Sequence, residues 1–180
     1  MTLINSPQSM LITLKSSEEI QSKVLELAAA IKADLNGEPA VFIGVLKGAF
    51  LFLSDLAKHL GEDAMFDFIQ VSSYGAEQVS SGKIRILKDV SIQIEGLNVI
   101  IVEDIEDTGL TLRHLSDLLQ TRNPKSLRLA AMFSKAKAKG CISQLDYVGF
   151  EIPNEFVVGY GLDYAERYRA LPFVAILQSE

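Results

Sequence analysis

One hundred and eighty residues suffice for one self-sufficient core, and 48% hydrophobic with 22% charged residues excludes intrinsic disorder as the overall state. Seventeen basic against 23 acidic side chains leave a net charge of −6, which argues against broad electrostatic capture by nucleic acid or an anionic membrane; an anionic ligand needs dedicated local donors. The single Cys141 excludes an internal disulfide and a zinc-finger framework, no stretch reaches the roughly 20 apolar residues of a membrane span, and Met1 to Lys15 lacks the pattern of a secretory leader, so a soluble cytoplasmic protein is expected.

Ser16-Ser17-Glu18-Glu19 has the form of a capping box, and Ile20, Val24, Leu27, Ala28, Ile31 and Leu35 recur behind it at helical spacing until Asn36-Gly37. Val41 to Leu46 is a continuous apolar run, as in a strand buried on both faces. After Lys47-Gly48, helical spacing resumes at Phe50, Leu53, Leu56 and Leu60 and stops at Gly61. Met65 to Val71 and Lys83 to Leu87 alternate as strands, separated by a polar, Gly/Ser-rich stretch that is either merely disordered or a lid over a site. Leu97 to Val102 is a second buried strand; Leu112, Leu115, Leu118 and Leu119 form one face of the helix behind it, which Pro124 closes. Strands at Leu127 to Phe133, Tyr147 to Ile152 and Phe156 to Val158 complete an α/β alternation: a mostly parallel twisted sheet flanked by helices, in one domain over residues 1–180.

Chemistry concentrates between residues 99 and 112. A buried strand leads through four carboxylates in five residues, Glu103, Asp104, Glu106 and Asp107, into Thr108-Gly109-Leu110-Thr111 at a helix start. Open parallel sheets bind ligands at the carboxyl ends of their strands, and a helix start offers unpaired N–H groups and a positive dipole end, here with two hydroxyls: a phosphate cradle. Carboxylates repel phosphate, so they must face another part of the ligand. Ribose hydroxyls donate to carboxylates, and a Mg²⁺ ion bridging ribose and diphosphate oxygens suits the same surroundings. A phosphorylated ribose matches both halves. Glu106 reads as a solvated loop carboxylate, and His59 and His114 as surface or capping residues without ligand spacing.

The same run resembles the phosphoribosyl-diphosphate signature of the type I phosphoribosyltransferases. Leu46-Lys47-Gly48 resembles their diphosphate loop, Ser73-Tyr74 their lid, and Lys135 follows a strand as in the family. The segments Val148 to Pro153 and Phe156 to Tyr164, with Arg169, resemble the hypoxanthine-guanine branch. The resemblance spans Val41 to Arg169. It implies a lid at about 72–82, a small hood formed by the chain termini with a base-binding part at about 146–180, a homodimer or homotetramer, and transfer of phosphoribose from phosphoribosyl diphosphate to a 6-oxopurine with Mg²⁺ as cofactor.

It further implies roles for particular residues. Lys47, Gly48 and Arg169 meet the diphosphate; Glu103 and Asp104 hold the ribose hydroxyls and, with Asp163, Mg²⁺; Asp107, Thr108, Gly109, Leu110 and Thr111 bind the 5′-phosphate. Asp107 is also the general acid/base at purine N7, Lys135 donates to O6, Phe156 stacks on the base, and Val157 and Asp163 read its other edge. A cis Leu46–Lys47 peptide is a further family trait. Two positions depart from the pattern: Leu110 stands where many relatives carry lysine, and Glu106 where an apolar residue is common. A non-catalytic nucleotide- or RNA-binding regulator on the same fold is the principal rival, and the −6 charge weighs against it. An acidic receiver-type switch is the second; it would distribute its acids over two strand ends rather than one.

Overall fold

The computed structural model describes residues 10–73, 84–135 and 145–178. Strand β1 (Met10–Lys15) leads into helix α1 (Ser17–Leu35), whose start is the expected capping box: Glu19 N donates to Ser16 Oγ at 3.2 Å, and Ser16 N donates to Glu19 Oε2 at 2.8 Å. Such a box satisfies two orphan donors and contributes about 1 kcal/mol. Asn36, in the left-handed conformation at φ 49°, ends the helix. Ile20, Val24, Leu27, Ala28 and Ile31 are the buried face of α1, as their spacing demands.

There follow β2 (Ala40–Leu46), α2 (Phe50–Ala57), β3 (Ala64–Ser73), β4 (Ile84–Lys88), β5 (Asn98–Glu106), α3 (Leu110–Gln120), β6 (Ser126–Ser134), β7 (Tyr147–Glu151), β8 (Val157–Val158) and β9 (Val174–Gln178). Six strands form the main sheet in the order β4-β3-β2-β5-β6-β7; all its neighbours pair in parallel except β4, antiparallel to β3. Helices α1 and α2 cover one face, where Phe52 and Leu56 of α2 meet Ile100 and Val102 of β5. Helix α3 covers the other, where Leu112, Leu115 and Leu119 meet Val99 and Ile101. The period-two split of β5 between the two clusters explains why the strand reads as an uninterrupted apolar run.

From β2 the chain steps outward to β3 and later returns to the opposite side as β5. The carboxyl ends of β2 and β5 are therefore adjacent at a topological switch point, the usual ligand crevice of such sheets. Lys47-Gly48 and Asp107 to Thr111 leave the sheet at this crevice.

A second sheet, β1-β9-β8, is antiparallel and joins the two ends of the chain, so the expected hood exists. Neither β1 nor β9 is among the expected strands; in β1, Met10 and Ile12 stand 62% and 42% exposed, so its apolar residues are not gathered on one buried face. The hood is also smaller than the interval 146–180: β7 pairs with β6 in the main sheet, and the part after Glu151 supplies the hood strands. Tyr74 and the lid residues after Ser73 lie outside the described residues, as do Cys141 and the lysines after Lys135. No helix among the described residues is long and apolar enough to cross a membrane.

Candidate active site

Strand β5 does not stop at Val102. It stays paired with β6 through Glu103↔Ala131, Ile105↔Phe133 and Glu106↔Ser134, so the carboxylates occupy the strand's final turn-free stretch rather than a loop. Glu103, Asp104 and Glu106 are buried there, paired on the β6 side only, whereas Asp107 lies just past the strand and is exposed. Glu103 and Asp104 are each 8% exposed. Burial, reinforced by the neighbouring Asp104 charge, raises the Glu103 carboxyl well above its ordinary value. Burial also raises Asp104, against the opposing pull of hydrogen bonds, including that from Ile105 N at 2.9 Å, and of the Arg169 charge. Two adjacent carboxyls short of donors constitute a hard-oxygen site waiting for hydroxyl donors or a cation.

Glu106 departs from the solvated reading. It is 3% exposed: Ser134 Oγ donates to its Oε2 at 2.9 Å, and its Oε1 meets no donor among the described residues. The cause is the continued register with β6, which turns the side chain against a neighbouring strand instead of releasing it to water.

Beyond Glu106 the backbone leaves the sheet. Gly109, at φ 75°, caps α3 without a side-chain hydrogen bond, and no acidic residue lies in the helix's first turn. The donors at this helix start face a cavity of about 230 Å³ whose wall includes Glu103, Glu106, Asp107, Thr108, Gly109 and Thr111. Volume alone does not distinguish it, since a hollow of about 360 Å³ lies beside Val90 to Glu95. What distinguishes it is the meeting of a helix N-terminus with buried carboxylates. Leu110 is 47% exposed and adds only backbone to the cradle.

The turn after β2 lies against the same acids. The Leu46–Lys47 peptide is cis. A Cβ built on Gly48 would fall 1.7 Å from Asp104 Oδ2, so only glycine admits the carboxylate there. Gly161, at φ 98°, presses on the other side: a Cβ there would reach the Gly48 carbonyl oxygen at 2.0 Å. Lys47 Nζ donates to Glu166 Oε1 at 3.1 Å. Arg169 Nη1 donates to the Gly161 carbonyl at 2.7 Å, and its Nη2 lies 2.7 Å from Asp163 Oδ1 and 3.3 Å from Glu166 Oε2. Arg169 Nε is buried with no partner among the described residues. Glu166 did not emerge from the motif; its place three residues before Arg169 was the available signal.

On the third side, Lys135 follows β6, its N–H donating to the Glu106 carbonyl at 2.9 Å. Its side chain is only 11% exposed, and Nζ lies 3.9 Å from Asp107 Oδ1. Phe156 is 52% exposed and meets Tyr164 edge-on, with centroids 5.8 Å apart, so this aromatic is not core and its ring has an accessible surface. Val157 is buried in β8, and Asp163 Oδ2 accepts from Glu166 N at 2.8 Å. Most of the expected residues thus fall into three groups: the cradle with its carboxylates, the cations Lys47 and Arg169 joined through Glu166, and a lysine–aspartate pair; Phe156 and Val157 belong to none of them. Asp104 against Gly48 links the first two, and Asp107 links the first to the third. Ser73 closes β3, and nothing more of the lid is described.

Residues 13–165 match the phosphoribosyl transferase domain family. Over 165 residues the chain is 47% identical to the hypoxanthine-guanine phosphoribosyltransferase of Bacillus subtilis, covering 92% of each. It is also 47% identical over 176 residues to the bifunctional protein TilS/HprT of Listeria innocua, where it accounts for 98% of this chain but spans only 27% of that protein's length. The crystal structure of a hypoxanthine-guanine phosphoribosyltransferase from Bacillus anthracis shares the fold with a TM-score of 0.87 at 45% identity, over 95% of this chain and 100% of the other. The match runs from the hood strand β1 through the acidic end of β5 to the loop holding Asp163, most of the length of the chain: the chain belongs to the phosphoribosyl transferase family.

Proposed function

We propose that the protein transfers the 5-phosphoribosyl group of phosphoribosyl diphosphate to hypoxanthine, and to guanine, releasing diphosphate and giving the nucleoside monophosphate used in purine salvage. The observation that carries this reading is the junction at Asp107. That residue opens the anion cradle at the start of α3 and lies 3.9 Å from the Lys135 ammonium, so a sugar phosphate and a base with a carbonyl oxygen can be held from one strand end.

In the reaction, purine N9 forms a bond to ribose C1′ while the C1′–diphosphate bond breaks, so positive charge grows on the sugar and negative charge on the leaving group. Lys47 and Arg169 answer the leaving charge as cations placed on the diphosphate side of the crevice. Backbone N–H groups from Thr108 to Thr111 take the 5′-phosphate, with Leu110 contributing no charge. Glu103 and Asp104 accept from the ribose hydroxyls. Asp107 removes the N7 proton, Lys135 donates to O6, Phe156 stacks on the ring, and the Val157 backbone and Asp163 read the opposite edge. Adenine offers Lys135 an amino group instead of an acceptor and is rejected. Ser73 and Tyr74 are the lid positions that the family resemblance implies, and Tyr74 lies outside the described residues.

Glu103 and Asp104 suit Mg²⁺, being adjacent hard oxygens with few donors, and the ion supplies charge neutralisation for diphosphate. Asp163 is less free, since Arg169 and Glu166 N engage its two oxygens. A homodimer or homotetramer is the assembly carried over from the family resemblance.

The purified protein should release diphosphate with phosphoribosyl diphosphate, Mg²⁺ and hypoxanthine, lose turnover on chelation, and stay silent with adenine. No product with any 6-oxopurine would defeat the reading. Asp107→Ala should lower kcat about 100-fold or more while changing the Kd for phosphoribosyl diphosphate far less; equal turnover would remove its role.

A further inference from the structure

The two cations assigned to the diphosphate already share an anion. Glu166 accepts from Lys47 Nζ through Oε1 and from Arg169 Nη2 through Oε2, so one carboxylate bridges the turn after β2 and the loop after β8. That loop is built to present it. Ala165, Glu166 and Tyr168 all have positive φ, at 50°, 63° and 72°, a conformation that non-glycine residues hold only where surrounding contacts enforce it. Those contacts are present: Glu166 N donates to Asp163 Oδ2, Gly161 N donates to the Arg169 carbonyl at 2.9 Å, and Gly161 abuts the Gly48 carbonyl.

Hydrogen bonds from Lys47 and then Arg169 hold the Glu166 carboxyl below its ordinary value, so it is anionic at neutral pH. Yet its side chain is 64% exposed and can swing into water without desolvation. Exposed ion pairs are weak and readily exchanged. The arrangement therefore suits a replaceable anion better than a permanent strut.

We propose that Glu166 is an internal stand-in for the leaving diphosphate, occupying Lys47 and Arg169 between turnovers, yielding to the substrate's more highly charged diphosphate, and returning to speed its departure. The proposal rests on the diphosphate role of those two cations. Glu166 acts through them as a positioning residue and touches no reacting atom. A ligand that must displace a resident group binds more weakly than one meeting free cations, so Glu166 costs some affinity for diphosphate and none for a ligand that ends at the 5′-phosphate.

Titration calorimetry with inorganic diphosphate and Mg²⁺, and separately with ribose 5-phosphate, tests this on the intact wild type, Glu166→Gln and Glu166→Asp. Glu166→Gln should bind diphosphate about three- to fivefold more tightly, leave ribose 5-phosphate unchanged, and release diphosphate more slowly in single-turnover kinetics. Glu166→Asp, which keeps the charge, should return towards wild type. Unchanged or weaker diphosphate binding by Glu166→Gln overturns the proposal, as does equal tightening for ribose 5-phosphate. A Lys47→Ala variant separates the underlying reading: if it binds diphosphate as the wild type does, the assignment of the cations falls, and the stand-in with it.

Discussion

Asp67 on β3 and the pair Glu103 and Asp104 on β5 lie in one sheet, separated by β2, and all three are less than one-tenth exposed. Their surroundings are opposite. Burial alone would raise the Asp67 carboxyl, but the N–H groups of Ile92, Phe68 and Ser91 and the Lys88 ammonium all donate to it and hold it at about 2. Its lone pairs are consumed in pinning the segment after β4 to the sheet. Glu103 and Asp104 have far fewer donors and are raised. A buried acid satisfied by its own fold is scaffold; one left wanting is available for a ligand, and the fold bears the desolvation so that the ligand can relieve it.

The largest effect should come from the starved pair. Gly48→Ala would drive a methyl group into the Asp104 carboxylate, and since displacement of a reacting constellation by about 1 Å costs about 100-fold, kcat/KM should fall by that factor or more while thermal stability changes little. Near-normal turnover would mean that Asp104 is free to move and that the pair is less constrained than Asp67.

Asp67→Ala should give the reverse pattern. It strips an acceptor from four buried or half-buried donors and should cost about 3 kcal/mol in urea unfolding, with turnover of the folded enzyme within about twofold. A large catalytic loss without destabilisation would erase the distinction between scaffold and site.

The smallest effect concerns pH, and here the two regions differ in sign. A carboxyl raised by folding binds protons in the native state that the unfolded chain has already lost. The stability from Glu103 is therefore full below its ordinary value of 4.5 and declines as pH rises through the raised one. Asp67 contributes fully above its ordinary 3.8 and loses its contribution as pH falls through about 2. Glu103→Gln should flatten the decline of Tm as pH rises above the ordinary carboxylate range. Thermal scans of the ligand-free protein check this; a variant declining in parallel with the wild type would show that Glu103 is not the starved partner.

Much of this was legible in the chain because it is local. The capping box at Ser16, the stop at Asn36, the apolar runs of β2 and β5 and the Thr-Gly start of α3 each follow from neighbours a few residues apart. Four pieces were not. Strands β1 and β9 pair with each other from the two ends of the chain, a partnership no local pattern shows. Glu106 looked like any loop acid because its burial depends on continued register with β6. Glu166 meets Lys47 across 119 residues. The Asp67 clasp gathers donors from 21 to 25 residues away as well as its own neighbour.

Periodicity, capping and the order of adjacent residues were enough to set which segments become helices and buried strands, and to put a Thr-Gly helix start directly behind a row of acids. Long-range packing settled which acids find donors and which go without, since a carboxylate's donors arrive from distant strands and loops. It also decided that Lys47 and Arg169 should face one another across Glu166, because the crevice between β2 and β5 arises from strand order, which no local pattern encodes.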